Sequence, residues 1–87
     1  MPSLMAKLKA VIYTMDDCPF CARAKEILKE MKIVYEERNV STSMKHRTDL
    51  LKKTGDTKLP TILLNKEILV KPGEDKLRAS VNYELHR

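Results

Sequence analysis

The run Leu8-Lys9-Ala10-Val11-Ile12-Tyr13-Thr14-Met15-Asp16-Asp17-Cys18-Pro19-Phe20-Cys21-Ala22-Arg23-Ala24-Lys25-Glu26-Ile27-Leu28-Lys29-Glu30-Met31 decides the fold. From Leu8 to Thr14 it is dense in strand formers, and from Ala22 to Met31 in helix formers. At the junction lie the only two cysteines of the chain, Cys18 and Cys21. Cys21, Ala24, Ile27, Leu28 and Met31 recur at helical spacing, the core stripe of an amphipathic helix. Pro19 suits the first turn, where no N–H is needed and φ is already correct. A thiol at a helix N-terminus meets unpaired backbone N–H groups and the positive end of the helix dipole. Both favour the thiolate, the reactive form. The pair reads as a dithiol/disulfide redox site. A purely structural bridge is the bland alternative, but such bridges stabilise by closing long loops, and this one closes almost nothing.

The 87 residues make one small domain, near the lower limit for a core that holds a fold unaided. Residues 1–7 lack the apolar stretch of a secretory signal and read as a short N-terminal tail, leaving 8–87 as the domain. No apolar run approaches the ~20 residues of a membrane span, so no membrane association is expected. Two cysteines without a signal peptide point to a reducing cytoplasm. The net charge of +5 comes from Lys and Arg scattered among acids. With one Phe, three Tyr and no Trp, a base-stacking platform is hard to build, and no nucleic-acid partner is expected.

Residues 8–14 form a nearly continuous apolar run that suits a strand covered on both faces. Ile33 to Val40 reads as a second strand, only partly alternating and so nearer an edge. Strand, helix and strand within about thirty residues make a βαβ unit with parallel strands. Ser41, Thr42 and Ser43 offer an N-cap for a second helix through about Thr54, with Met44, Leu50 and Leu51 as its apolar face and Gly55 as its stop. His46, on this polar helix, reads as a solvated surface histidine. Thr61 to Asn65 is a third strand, and Asn65-Lys66 turns the chain into a fourth, Glu67 to Val70. A last helix from Glu74 to about Glu84 is expected to bury Leu77, Val81 and Leu85. The order is β-α-β-α-β-β-α: an α/β fold with one four-stranded mixed sheet flanked by three helices.

The chain from about residue 8 onward resembles the glutaredoxins, small members of the thioredoxin-fold superfamily. Cys18-Pro19-Phe20-Cys21-Ala22-Arg23-Ala24-Lys25 is close to their C-P-[YF]-C pattern followed by R-A-K. Leu59-Pro60 stands where the family has a Val-Pro with a cis bond facing the disulfide, and Gly73 where a glycine-bearing turn binds glutathione. The resemblance implies thiol–disulfide exchange, with Cys18 attacking and Cys21, one turn inside the helix, resolving the mixed disulfide. Pro19, Phe20, Leu59, Pro60, Gly73, Glu74 and Asp75 are the supporting or substrate-binding candidates that it implies. No cofactor or metal is expected to be resident, and glutathione enters as a co-substrate. The expected partners are disulfide proteins or glutathione mixed disulfides, and a reductase of the glutathione or thioredoxin system, with the protein acting as a monomer.

Three departures bear on the electron donor. Where the family often has a Lys before the first cysteine, Met15-Asp16-Asp17 stands here, and negative charge opposes a thiolate. Lys58 replaces the usual Thr or Ser before the Val-Pro pair. Lys71-Pro72-Gly73-Glu74-Asp75-Lys76-Leu77 matches the family's I-G-G-[YF]-[TD]-D-L turn at Gly73 and Leu77, but Lys76 replaces the Asp that pairs with the glutathione ammonium. A cation facing a cation can reject a ligand. Arg23, Lys25 and Lys58 remain as cations for its carboxylates. Two alternatives therefore stand beside the glutaredoxin reading. One is a redoxin reduced by thioredoxin reductase without glutathione. The other is a metal or iron–sulfur carrier, which needs thiols from outside, since two cysteines cannot complete a four-thiolate site.

Overall fold

In the computed structural model, the residues described are 8–86; the tail expected over residues 1–7 lies outside them. The elements follow as β1 (Ala10–Thr14), α1 (Pro19–Glu30), β2 (Tyr35–Asn39), α2 (Met44–Thr54), β3 (Thr61–Leu64), β4 (Glu67–Val70) and α3 (Glu74–Leu85). This is the expected order, and the four strands form one sheet arranged β2-β1-β3-β4. Strand β1 pairs parallel with β2 and antiparallel with β3, and β3 pairs antiparallel with β4. The partly alternating β2 is indeed an edge strand. It begins at Tyr35, later than expected, because Ile33 still donates its backbone N–H to Leu28 at 2.9 Å and finishes the turn out of α1.

Strand residues alternate between the two faces of the sheet, so cross-strand partners share a face. Ala10, Ile12, Ile62, Leu64 and Leu69 face one way and form the main core with Ala24, Ile27 and Leu28 of α1 and Leu77 and Val81 of α3. On the other face Tyr13 is wholly buried, as is Leu50 of α2. Arg38, the register partner of Tyr13, sits 5.6 Å over its ring and donates to its hydroxyl at 2.8 Å.

Local chemistry sets the element ends. Of the three candidate caps for α2, Ser43 takes the role: its Oγ accepts the His46 backbone N–H at 3.3 Å. Gly55 ends that helix at φ 76°, where a side chain would be strained. Asn65 turns β3 into β4 at φ 53°, a conformation that Asn tolerates. Its side chain also ties the ends of the domain together, accepting from the Lys9 N–H at 2.9 Å and donating to Glu84 at 3.0 Å.

Three expectations about burial are corrected. Met44 and Leu51 do not form a buried face with Leu50: they are 75% and 44% exposed, because α2 covers the sheet with one side only. Leu85 is exposed in the last turn of α3, and Ser80 and Glu84 are buried in its place. His46 is half-buried, with a buried Nδ1 that has no hydrogen-bond partner among the described residues. Among the described residues, no helix is long and apolar enough to cross a membrane.

Candidate active site

Thr14 closes β1, and a short loop containing Asp17 at φ 55° hands the chain to α1. Asp16 steadies this loop: its backbone N–H donates to Ser41 Oγ at 3.0 Å, and its carboxylate accepts from Asn39 Nδ2 at 3.0 Å. Cys18 is the N-cap of α1, half-buried, and its Sγ accepts the backbone N–H of Cys21 at 3.2 Å. Pro19 occupies the first turn, as its fixed φ allows. Cys21 is 2% exposed on the core side of the helix. Burial pushes its thiol up to about 12, with the hydrogen bond to Cys18 acting in the same direction. The two sulfurs are therefore inequivalent: one reachable at a helix N-terminus, the other buried and held protonated at neutral pH.

An open groove of about 590 Å³ runs beside them, lined by Asp16, Asp17, Cys18, Pro19, Cys21, Lys25 and Glu37 among others. Across Met15, which lines both, lies a second depression of about 240 Å³ that includes Leu59, Arg47 and Thr57. The Leu59-Pro60 bond is cis, as the resemblance implied, and Pro60 is buried. Two hydrogen bonds hold this loop: the Pro60 carbonyl accepts from the Lys71 N–H at 2.8 Å, and the Lys58 carbonyl from the Thr61 hydroxyl at 2.7 Å.

Phe20, Gly73 and Glu74 come together elsewhere, around a pocket of about 150 Å³ with Arg23, Ala24, Ile27, Pro72 and Leu77. The Phe20 ring is 67% exposed and carries the Lys71 ammonium 5.7 Å from its centroid. Arg23 grips Glu74 with two parallel bonds, Nε to Oε2 at 3.1 Å and Nη2 to Oε1 at 3.0 Å. That bidentate pair joins α1 to the first turn of α3 and holds the Glu74 carboxyl below the usual carboxylate range. Asp75 is exposed in the same turn. Gly73 sits at φ −72° with open space around its Cα, so neither backbone conformation nor crowding demands a glycine there. Among the described residues, no three His, Cys, Asp or Glu side chains are grouped to hold a metal ion.

The glutaredoxin family profile matches residues 10–69, more than half of the chain. The chain belongs to the glutaredoxin family. Glutaredoxin 1 of Rickettsia felis is 39% identical over 57 residues, covering 63% of this chain and 56% of its own length. Glutaredoxin 3 of Escherichia coli K12 is 32% identical over 54 residues, covering 62% and 65%. The matched stretches thus span less than two thirds of either relative. A crystallised thioredoxin-like protein, in mutant form, superposes with a TM-score of 0.78 at 30% identity, covering 84% of this chain and 99% of its own.

Seen as a glutaredoxin, this chain departs from the sequence reading in where its cations go. Arg23 is held by Glu74, with Glu26 and Glu30 at 3.2 and 3.5 Å. Lys25 is held by Glu37 at 3.1 Å. Of the three cations considered for glutathione carboxylates, only Lys58 stays largely in solvent, 63% exposed and 4.0 Å from Asp56. The sequence reading did not single out Thr14 or Glu37, whose contacts join residues distant in the chain. The i,i+4 spacing of Cys21 and Lys25 was the one available signal, since it puts both on one helix face.

Proposed function

We propose that this glutaredoxin-family chain is a dithiol oxidoreductase that reduces protein disulfides or glutathione mixed disulfides. The observation that carries the reading is the half-buried Cys18 at the α1 N-terminus, its Sγ 3.2 Å from the N–H of the buried Cys21. Cys18, as thiolate, attacks one sulfur of a disulfide R–S–S–R′, forming Cys18–S–S–R and expelling R′–S⁻, which takes a proton from water. Cys21 then loses its proton and attacks Cys18 Sγ, forming the Cys18–Cys21 disulfide and expelling R–S⁻. An external dithiol or thiol reductant returns two electrons to the pair. The exchange needs no resident cofactor, and glutathione enters it as the thiol carried by glutathione mixed disulfides.

Cys18→Ser is expected to abolish turnover in a glutathione-mixed-disulfide assay, while Cys21→Ser keeps reactions that need only the mixed disulfide. Equal and complete loss in both variants refutes these roles.

A second reading concerns the electron donor, and the Arg23–Glu74 pair favours it. Glutathione would find Arg23 held by Glu74 and Lys25 by Glu37, leaving only Lys58 of the three cations for its carboxylates. Its ammonium would meet Lys76 at the position the resemblance implies. We therefore favour reduction by thioredoxin reductase over reduction by glutathione. Coupling the protein to each system in turn tests this: faster turnover with glutathione and its reductase overturns it.

A further inference from the structure

The dithiol motif leaves one feature of the groove unexplained. Cys21 and Lys25 stand one helical turn apart, so their side chains share a face of α1, and both line the groove beside Cys18. The charged or titratable groups that also line it are Asp16 and Asp17 from the loop, Cys18 from the helix start and Glu37 from β2. None of these carries a positive charge; a backbone hydrogen bond at Met15 favours the Cys21 thiolate, and Cys18 opposes it. Among the described residues, Lys25 is the single cation lining this groove.

Its ammonium is also fixed in place. Lys25 Nζ donates to Glu37 Oε2 at 3.1 Å, and the same oxygen accepts from Oγ1 of the buried Thr14 at 2.7 Å. A carboxylate anchored to β1 thus pins a cation on the Cys21 side of the groove. The charge of Lys25 opposes the burial that keeps Cys21 protonated. This matters in the second half of the reaction. Once Cys18 is tied up in a mixed disulfide it carries no charge, so its part in holding the Cys21 proton ends, whereas burial persists.

We propose that Lys25 is a positioning residue for resolution, its ammonium, fixed by Glu37 and Thr14, stabilising the negative charge on Cys21 Sγ as that sulfur attacks the Cys18 mixed disulfide. The proposal rests on the oxidoreductase reading above. The Cys21 proton leaves to water in the open groove, the Cys18–Cys21 bond forms, and the substrate thiolate departs.

The test is single-turnover reaction of the reduced protein with an excess of neutral dipyridyl disulfide, followed by absorbance of the released thiopyridone. The first release reports attack by Cys18 and the second attack by Cys21; a Cys21→Ser control shows the first alone. In Lys25→Gln, the Cys21 thiolate is expected to be harder to reach by about one pH unit, read as a slower second phase at every pH from about 7 to 9. The thiolate fraction at a given pH then falls about tenfold, but a more basic thiolate is a better nucleophile, so the net slowing is about threefold. The first phase should change by less, and Lys25→Arg should restore the second. Far-UV circular dichroism confirms that the variants are folded. A normal first phase with an unmoved second phase and pH profile overturns this proposal alone, as does equal slowing of both phases in folded protein. A wild-type protein that releases no thiopyridone overturns the oxidoreductase reading, and this proposal with it.

Discussion

Thr14→Val probes the joint between the sheet and the active-site groove. Thr14 is 1% exposed, and its hydroxyl donates to Glu37 at 2.7 Å. Valine keeps the branched shape and the strand preference but removes the donor. A hydrogen bond to a charged group contributes about 1.5–3 kcal/mol when both partners are buried. The Glu37 side chain is 35% exposed, so water replaces part of the lost bond, and we expect a cost of about 1 kcal/mol at neutral pH. For a domain of this size that lowers Tm by about 4–8 °C.

The pH dependence makes the prediction specific. The Thr14 hydroxyl, followed by the bond and charge of Lys25, holds the Glu37 carboxyl below the ordinary range, while partial burial acts in the opposite direction. A carboxyl depressed in the folded state stabilises the fold above its unfolded value, ~4.3, and that contribution is lost as pH falls through the lower folded value. In the variant Glu37 moves back up and the contribution shrinks. The gap between wild type and variant should therefore be widest near neutrality and narrow in acid. Urea denaturation across this pH range measures the gap, and NMR titration of the Glu37 carboxyl gives its midpoint directly. A gap independent of pH, together with an unmoved Glu37 midpoint, refutes the reasoning.

Other consequences can be checked by denaturation. Leu50→Ala should cost about 2–5 kcal/mol, because Leu50 is the one fully buried side chain of α2, out of a total of about 4–13 kcal/mol for a domain of this length. Met44→Ala and Leu51→Ala on the same helix should stay within about 0.5 kcal/mol; losses as large as that of Leu50→Ala would mean that the helix faces the sheet differently. Gly55→Ala should cost about 1 kcal/mol because φ is 76°, whereas Gly73→Ala, at φ −72° in open space, should change stability by less than about 0.5 kcal/mol. The reverse ranking would show that the Gly73 turn is more constrained than its geometry indicates.

Much of the fold is legible along the chain because its causes are local. The helix stripe of Ala24, Ile27 and Leu28, the Ser43 cap, the Gly55 stop and the Asn65-Lys66 turn each rest on residues within a few positions of one another. The Cys18–Cys21 pair belongs with them, since a strand–helix junction is itself a local event. What failed was the reach of local patterns into packing. Met44, Leu51 and Leu85 carry the right spacing, but burial depends on whether another element arrives to cover them, and none of the described elements does.

The sequence by itself therefore determined the element order, the position of the dithiol and its inequivalent sulfurs, because helix and strand periods and the N-cap act over single turns. Only the tertiary structure decided which charges the site can use. Arg23 meets Glu74 across 51 residues, Lys25 meets Glu37 across 12, and Thr14 meets Glu37 across 23. Such pairings follow from sheet register and helix packing, which bring distant residues within 3.2 Å, and no local pattern encodes them.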